Sequence, residues 1–235
     1  MTAKELGEEI ERLVRGGERA LVLNVNAHCL NLCHDYPRLR AFVNDADVVF
    51  CDGAGVMLAA RLLGGRIPER ITYADWIWQL ADLAAARGFS LYLLGARPGV
   101  AREAARRLGR RYPGLEIVGV SDGYFDHSAG SEENEAVVEE IRAAAPDLLL
   151  VGLGMPLQER WLMENRHRLG AVALTGGAVF DYVSGRVRRG PRLLRENGLE
   201  WLARLLVEPR RLWRRYLLGN PLFLLRVLRQ RLGGR

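Results

Sequence analysis

Asp52 ends the apolar run Asp47-Val48-Val49-Phe50-Cys51 and is followed at once by Gly53-Ala54-Gly55. The run reads as a buried strand, and the glycines as a tight turn into a helix over 56–63. A carboxylate at the C-terminal mouth of a buried strand lies where open α/β sheets hold their ligands. There it can take a proton from a substrate hydroxyl. The same position suits an N-cap for the helix that follows. The two roles are not exclusive, and at this level both stay open.

Other strand ends carry polar groups toward the same place. Asn24 and Asn26 close a strand in Leu23-Asn24-Val25-Asn26-Ala27-His28. Their amides point to the crevice or to strand termination and helix capping. His28 has the titration range of a general base, although a lone histidine is more often structural. Gly152-Leu153-Gly154-Met155-Pro156-Leu157-Gln158 follows a strand and opens a helix, with Pro156 suited to the first helical position. Exposed N–H groups there would form an anion site, with Gly152 and Gly154 letting a phosphate approach. The run lacks the Gly-Lys-Ser/Thr ending of a P-loop, and Leu157 stands where a dinucleotide fingerprint has its third glycine. Gln158, in the first helical turn, can both donate and accept beside the crevice. Tyr124 in Asp122-Gly123-Tyr124-Phe125 can stack on a nucleobase or pack in the core. Asp181, after the last strand, can accept from a base N–H or cap a turn. Asp45-Ala46-Asp47 spells a metal-binding D-x-D, but it precedes its strand and so reads as a solvated turn at the opposite end. Cys29 and Cys33 lie four apart on a predicted helix with no second pair of ligands, which argues against a metal.

The elements that must position these groups are legible as apolar runs over 20–25, 46–51, 90–94, 115–120, 147–151 and 171–175. Most do not alternate with polar residues, as in strands covered on both faces of a parallel sheet. Helical spacing recurs between them over 76–86, 100–111 and 133–145. Together they predict a doubly wound α/β core over residues 1–190, with its glycine-rich turns on one edge. No strand signal follows. Three helical pieces are expected over 192–207, 210–218 and 222–232, broken at Pro209 and at Gly219-Asn220-Pro221.

Charge divides the same way. The chain carries +6, yet residues 186–235 hold fourteen arginines against three glutamates, +11 for that segment and −5 for the rest. Leucines and aromatics interleave with those arginines. Residues 191–235 therefore read as a basic amphipathic appendage seeking an anionic partner, and its leucines favour a lipid surface over nucleic acid. No stretch is long and apolar enough to span a bilayer. The polar start Met1-Thr2-Ala3-Lys4-Glu5 is unlike a signal peptide, and the three cysteines are an odd count. The expectation is a cytoplasmic chain with reduced thiols.

Taken in order, Leu23 to Asn26, A-D-V-V-F-C-D-G-A-G-V from Ala46, Y-L-L-G-A-R-P-G-V from Tyr92, Y-P-G-L-E-I-V-G from Tyr112, Asp122-Gly123-Tyr124-Phe125, Val151 to Trp161, Gly176 to Arg189, Leu199 to Leu205 and Glu208-Pro209-Arg210-Arg211 form a pattern. It resembles that of the WecG/TagA/CpsF glycosyltransferases over roughly residues 5 to 218. The resemblance implies a Rossmann-like fold of the family's own class, GT-E. It implies an inverting, metal-independent enzyme with no cofactor, moving a sugar from a UDP-sugar to a polyprenyl-diphosphate-linked sugar in teichoic acid, capsule or exopolysaccharide synthesis. Such an enzyme would sit on the inner face of the cell membrane, against anionic lipid. The resemblance places the family's catalytic base on Asp52, its crevice threonine on Asn24 and a neighbouring asparagine on Asn26. Its glutamine falls on Gln158, a base-stacking tyrosine on Tyr124, an acid near the uracil on Asp181 and an arginine on Arg70. Tail arginines fall on Arg204, Arg211 and Arg214. His28 stands where many members have glutamate. With these arginines over the diphosphate, docking of the tail on a membrane would complete the site.

Two other classes compete: a nucleotide-cofactor oxidoreductase on the same sheet, and a non-catalytic binder of anionic polymers using the tail. The incomplete fingerprint weighs against the first and the leucine-rich tail against the second. The sequence leaves monomer and homo-oligomer both open.

Overall fold

The computed structural model describes residues 1–191, 193–194 and 198–233. Strands β1 (Leu21–Val25), β2 (Val48–Cys51), β3 (Ser90–Gly95), β4 (Glu116–Ser121), β5 (Leu148–Gly152) and β6 (Val172–Thr175) form one sheet in the order β2-β1-β6-β5-β3-β4. Every pairing is parallel. All residues of β1, β5 and β6 are buried, which is why these runs show no polar alternation.

Strand side chains alternate between two cores. Val22, Leu91, Leu93, Leu148, Leu150 and Leu174 pack with α1 (Ala3–Arg15), α5 (Tyr73–Arg87), α6 (Val100–Arg111) and α9 (Val179–Val183). Leu21, Leu23, Leu94, Leu149, Val151 and Ala173 pack with α2 (Ala27–Asp35), α3 (Pro37–Asn44), α7 (Glu132–Ala144) and α8 (Leu157–Asn165). Helix α1 was not among the expected elements. Its signals are a Thr2–Glu5 capping box and the buried stripe Leu6, Ile10 and Leu13. The chain leaves β1 for α2 on one face and β6 for α9 on the other. That divergence opens a crevice between the two strands at their carboxyl ends.

The segment beyond residue 190 adds no strand among its described residues. Part of its first expected helix, at 192 and 195–197, lies outside the described residues; 193–194 are helical, 198–199 are not, and α10 spans Glu200–Val207. Helix α11 (Pro209–Trp213) passes through a π-helical turn (Arg214–Leu218) into α12 (Gly219–Leu232). The expected break at Gly219-Asn220-Pro221 is therefore absent. Pro221 falls in the first turn of α12, where a missing N–H costs little, and the widened turn before it closes with Gly219 N–H on the Arg214 carbonyl. Helix α12 lies on α2 and α4 (Ala54–Leu62), burying Phe223 and Val227 against Ala59. Polar anchors reinforce it: Asn31 Nδ2 donates to the Gly219 carbonyl at 2.8 Å, and Arg226 donates to Asn31 Oδ1 at 3.0 Å and Asp35 at 2.5 Å.

Candidate active site

A cavity of about 470 Å³ occupies the crevice between β1 and β6, and the C-terminal helices form its outer wall. Asp52 lines it. Its backbone N–H bonds to the Val25 carbonyl at 2.9 Å, which fixes the turn after β2. The side chain is half-buried with both oxygens engaged. Oδ2 accepts from Asn24 Nδ2 at 3.1 Å, and Oδ1 accepts from the Tyr73 backbone N–H at 3.3 Å. The cap question is thereby answered in an unexpected way. Helix α4 has Gly53 at its N-cap with no side-chain cap bond, whereas Asp52 satisfies the first amide of α5. Burial pushes the Asp52 carboxyl up to about 6, against the pull of the Tyr73 amide. An acid so shifted is ionised at neutral pH yet more basic than a free aspartate.

Asn24 is buried on β1 and is oriented from behind. The Thr175 hydroxyl donates to Asn24 Oδ1 at 2.9 Å and accepts from the Asn24 backbone N–H at 3.2 Å. With its oxygen so occupied, the Asn24 amide can only present N–H to Asp52. Thr175 was read only as the end of a strand; its signal was a hydroxyl at the last residue of an otherwise apolar run. Thr175→Val should leave two buried polar groups of Asn24 without partners, costing about 1–3 kcal/mol of stability. It should also slow turnover about tenfold, the value of one lost orienting bond. Denaturant melts and kcat measured on one preparation check both.

Asn26, Arg70, Gly154 and Arg204 also line the cavity, as expected of site residues. Asn26 does so as a cap: its Oδ1 accepts from the His28 and Cys29 amides at 3.1 Å each. Gly53 packs closely on Asn26: a Cβ there would sit 3.2 Å from the Asn26 Cβ and 3.3 Å from its Cα, so Asn26 would have to give by a few tenths of an ångström. His28 lines the wall too. Burial, with Arg215 nearby, drives its imidazole down to about 4, so it is neutral at physiological pH.

Gln158, expected in the crevice, is fully buried behind it. Its Oε1 accepts from the amides of Gly154 at 3.2 Å and Gly177 at 3.0 Å, and Nε2 donates to Glu159 at 2.8 Å. It ties the turn after β5 to the turn after β6. The Gly154 N–H expected to meet a phosphate is therefore already taken. Gly152 also sits behind the wall, where a Cβ would meet the Phe180 ring at 2.6 Å. Among the described residues, no acceptor meets the amides of Gly53, Ala54 and Gly55 at the start of α4, and all three line the cavity. The amides left open at the cavity thus lie after β2, whereas that of Gly154 after β5 is taken.

Tyr124, Asp181, Arg211 and Arg214 do not line this cavity. Tyr124 is 66% exposed and follows β4, three strands from β6 and so about 14 Å along the edge. Asp181 on α9 lies 3.8 Å from Arg186; burial raises its carboxyl, opposed by Arg186 and Arg211. Arg211 is exposed and pairs with Glu208 at 2.5 Å, and exposed Arg214 lies over the Trp213 ring.

Arg215 takes the place expected for those cations. It lines the cavity with Arg204, and neither Nε has a hydrogen-bond partner among the described residues. Arg204 stacks 5.5 Å over the Tyr182 ring. Burial lowers the Arg215 guanidinium below its usual value, a penalty that a bound anion would relieve. The signal for Arg215 was its place three residues after buried Leu212, next to buried Tyr216, on the inward stripe that Arg214 misses.

At the other end of the sheet Asp45 pairs with Arg166 at 2.5 Å and Asp47 accepts from the Leu21 amide at 2.7 Å, as a structural turn would. Cys29 and Cys33 are buried, and no group of three His, Cys, Asp or Glu among the described residues is placed to hold a metal.

A parallel sheet with a half-buried acid and two guanidinium groups lining one crevice at its carboxyl edge is the frame of an α/β group-transfer enzyme. The sequence model described as "Glycosyl transferase WecG/TagA/CpsF family" matches residues 1–235, and the chain belongs to that family. It is a glycosyltransferase, and the oxidoreductase reading lapses. Similar proteins carry the name N-acetylglucosaminyldiphosphoundecaprenol N-acetyl-beta-D-mannosaminyltransferase. The one from Bacillus spizizenii is 37% identical over 82% of this chain and 72% of its own length. That from Bacillus subtilis is 32% identical over 80% and 71%. One from Staphylococcus aureus is 27% identical over 88% and 78%.

Proposed function

We propose that this glycosyltransferase moves a sugar, N-acetylmannosamine or a related hexose, from a UDP-sugar to a polyprenyl-diphosphate-linked sugar, with inversion and without a metal. The observation that carries the reading is Asp52 and the arginine pair Arg204 and Arg215 lining one cavity. The acceptor hydroxyl attacks the anomeric carbon while the bond from that carbon to the diphosphate oxygen breaks. Asp52 takes the hydroxyl proton, held toward it by the Asn24 amide. The departing UDP gains charge, and Arg204 and Arg215, with the amides at the start of α4, balance it. Guanidinium groups already in place supply the cationic role that a metal would otherwise fill. The relatives' names describe a β-linked sugar on a lipid diphosphate. From a donor whose anomeric phosphate is α, that product requires inversion in one displacement. The uridine would run along the turns after β6 and β5, toward Asp181 and Tyr124.

The acceptor's lipid tail implies a membrane surface. Leu217, Leu218, Leu222, Leu225, Leu228 and Leu232 are exposed on the C-terminal helices among Arg210, Arg214, Arg229 and Arg231. Among the described residues no helix is long and apolar enough to cross a bilayer. The reading therefore places this face on the anionic inner leaflet, each cation contributing about 1 kcal/mol. Purified enzyme given a panel of UDP-sugars and a lipid-diphosphate-linked N-acetylglucosamine should release UDP with at least one donor. No release with any of them would sink the reading.

A further inference from the structure

The C-terminal segment brings a carboxylate into the crevice as well as cations. Glu200 and Arg204 stand at i and i+4 on α10, on one face, and both line the cavity that Asp52 lines. Glu200 is tied in place. Arg189, between α9 and α10, donates to Glu200 Oε1 at 3.0 Å through one Nη and pairs with Asp75, in the first turn of α5, through the other. One guanidinium thus joins α10 to the helix whose first amide holds Asp52. The Glu200 side chain is 16% exposed and that of Arg189 18%. The carboxylate is therefore sheltered from solvent with a guanidinium beside it.

We propose that Glu200 sets the proton affinity of Asp52, so that the base reaches full strength only when Arg189 has seated α10 in the crevice. The inference rests on the reading of Asp52 as the base, and it makes Glu200 a positioning residue acting through Asp52. Polar and titratable groups lining the cavity around Asp52 come from every wall: Asn24 from β1, His28 from α2, Arg70 from the segment before α5, Tyr73 from α5, Tyr182 from α9, Glu200 and Arg204 from α10, and Arg215 and Tyr216 from the π-helical turn. His28 is neutral at physiological pH, and among the described residues lining the cavity Glu200 is the one carboxylate besides Asp52 itself. After burial, which acts first, the charge of Glu200 works to hold a proton on Asp52, and Arg204 works against it. Two carboxylates in one site, one held by an arginine and the other made more basic, divide their roles. Docking of the tail would then supply both halves of the chemistry: cations for the leaving group and a stronger base for the nucleophile.

Glu200→Gln keeps the shape and can still accept from Arg189, so the clamp survives while the charge goes. The test is a carbon-13 titration of the Asp52 carboxyl in the unliganded full-length chain, its signal assigned by its loss in Asp52→Asn. The midpoint should fall by about one pH unit in Glu200→Gln, as expected for removal of one close like charge. It should stay near the wild-type value in Glu200→Asp and fall in Arg189→Met, which frees α10. An unmoved midpoint in Glu200→Gln overturns the proposal. So does a raised donor KM with that midpoint unmoved, which would make Glu200 a substrate contact instead. Because the titration itself needs no substrate, an unmoved midpoint is distinct from failure to find a UDP-sugar that reacts.

Discussion

Asp52→Asn is expected to slow sugar transfer by about 10²–10⁴-fold while UDP-sugar binding persists. The substitution is nearly isosteric and removes the carboxylate that takes the acceptor's proton in the proposed reaction. It also disturbs the local bonds in a foreseeable way. Asp52 accepts from both Asn24 Nδ2 and the Tyr73 amide, and an asparagine offers one oxygen for the two. Its own NH2 would face either the Asn24 NH2 or the Tyr73 N–H, a conflict worth about 1–3 kcal/mol of stability. Stability and donor affinity must therefore be measured beside the rate. A folded variant that binds donor and does not turn over separates the base role from the role of holding α5.

Arg204→Met should cost about 10²–10³-fold in kcat, the span for removing one charge-stabilising donor from a sheltered site. The argument is geometric. The buried Arg204 guanidinium lies over the Tyr182 ring, lines the cavity and leaves its Nε without a partner among the described residues. Arg214→Gln is the internal control. That side chain is exposed over Trp213 and does not line the cavity. Its loss should leave transfer to a detergent-solubilised acceptor unchanged and weaken adhesion to anionic vesicles by about 1 kcal/mol. Equal loss of kcat in both variants would show that the tail acts as a bulk cation rather than through particular side chains.

The contrast between Arg204, Arg214 and Arg215 shows how far the sequence could be read. The sheet was legible because strands covered on both faces are written as unbroken apolar runs, and all six fall within two residues of their expected limits. Asp52 and Asn24 were legible because strand ends point to one edge. What escaped depends on tertiary packing. A pattern match cannot tell which of two adjacent arginines faces inward; only the stripe of Leu212 and Tyr216 does that. Gln158 has the chemistry of a ligand residue, yet its oxygen is used up by two glycine amides from separate turns, a closure that no local signal reports. Pro221 reads as a stop but lies in the first turn of a helix, where its missing N–H is harmless. Thr175 and Glu200 gain meaning only from partners 151 residues and 11 residues away.

The most direct test of the central claim, that Asp52 is the catalytic base of this crevice, is the pH dependence of single-turnover transfer between pH 5 and 8. A base must be unprotonated to act, and Asp52 sits near 6. The wild-type rate should therefore fall as pH drops, with a midpoint near 6, and the residual rate of Asp52→Asn should be low and flat across the range. A wild-type rate that stays level down to pH 5, or an Asp52→Asn rate that keeps the same midpoint, would contradict the account.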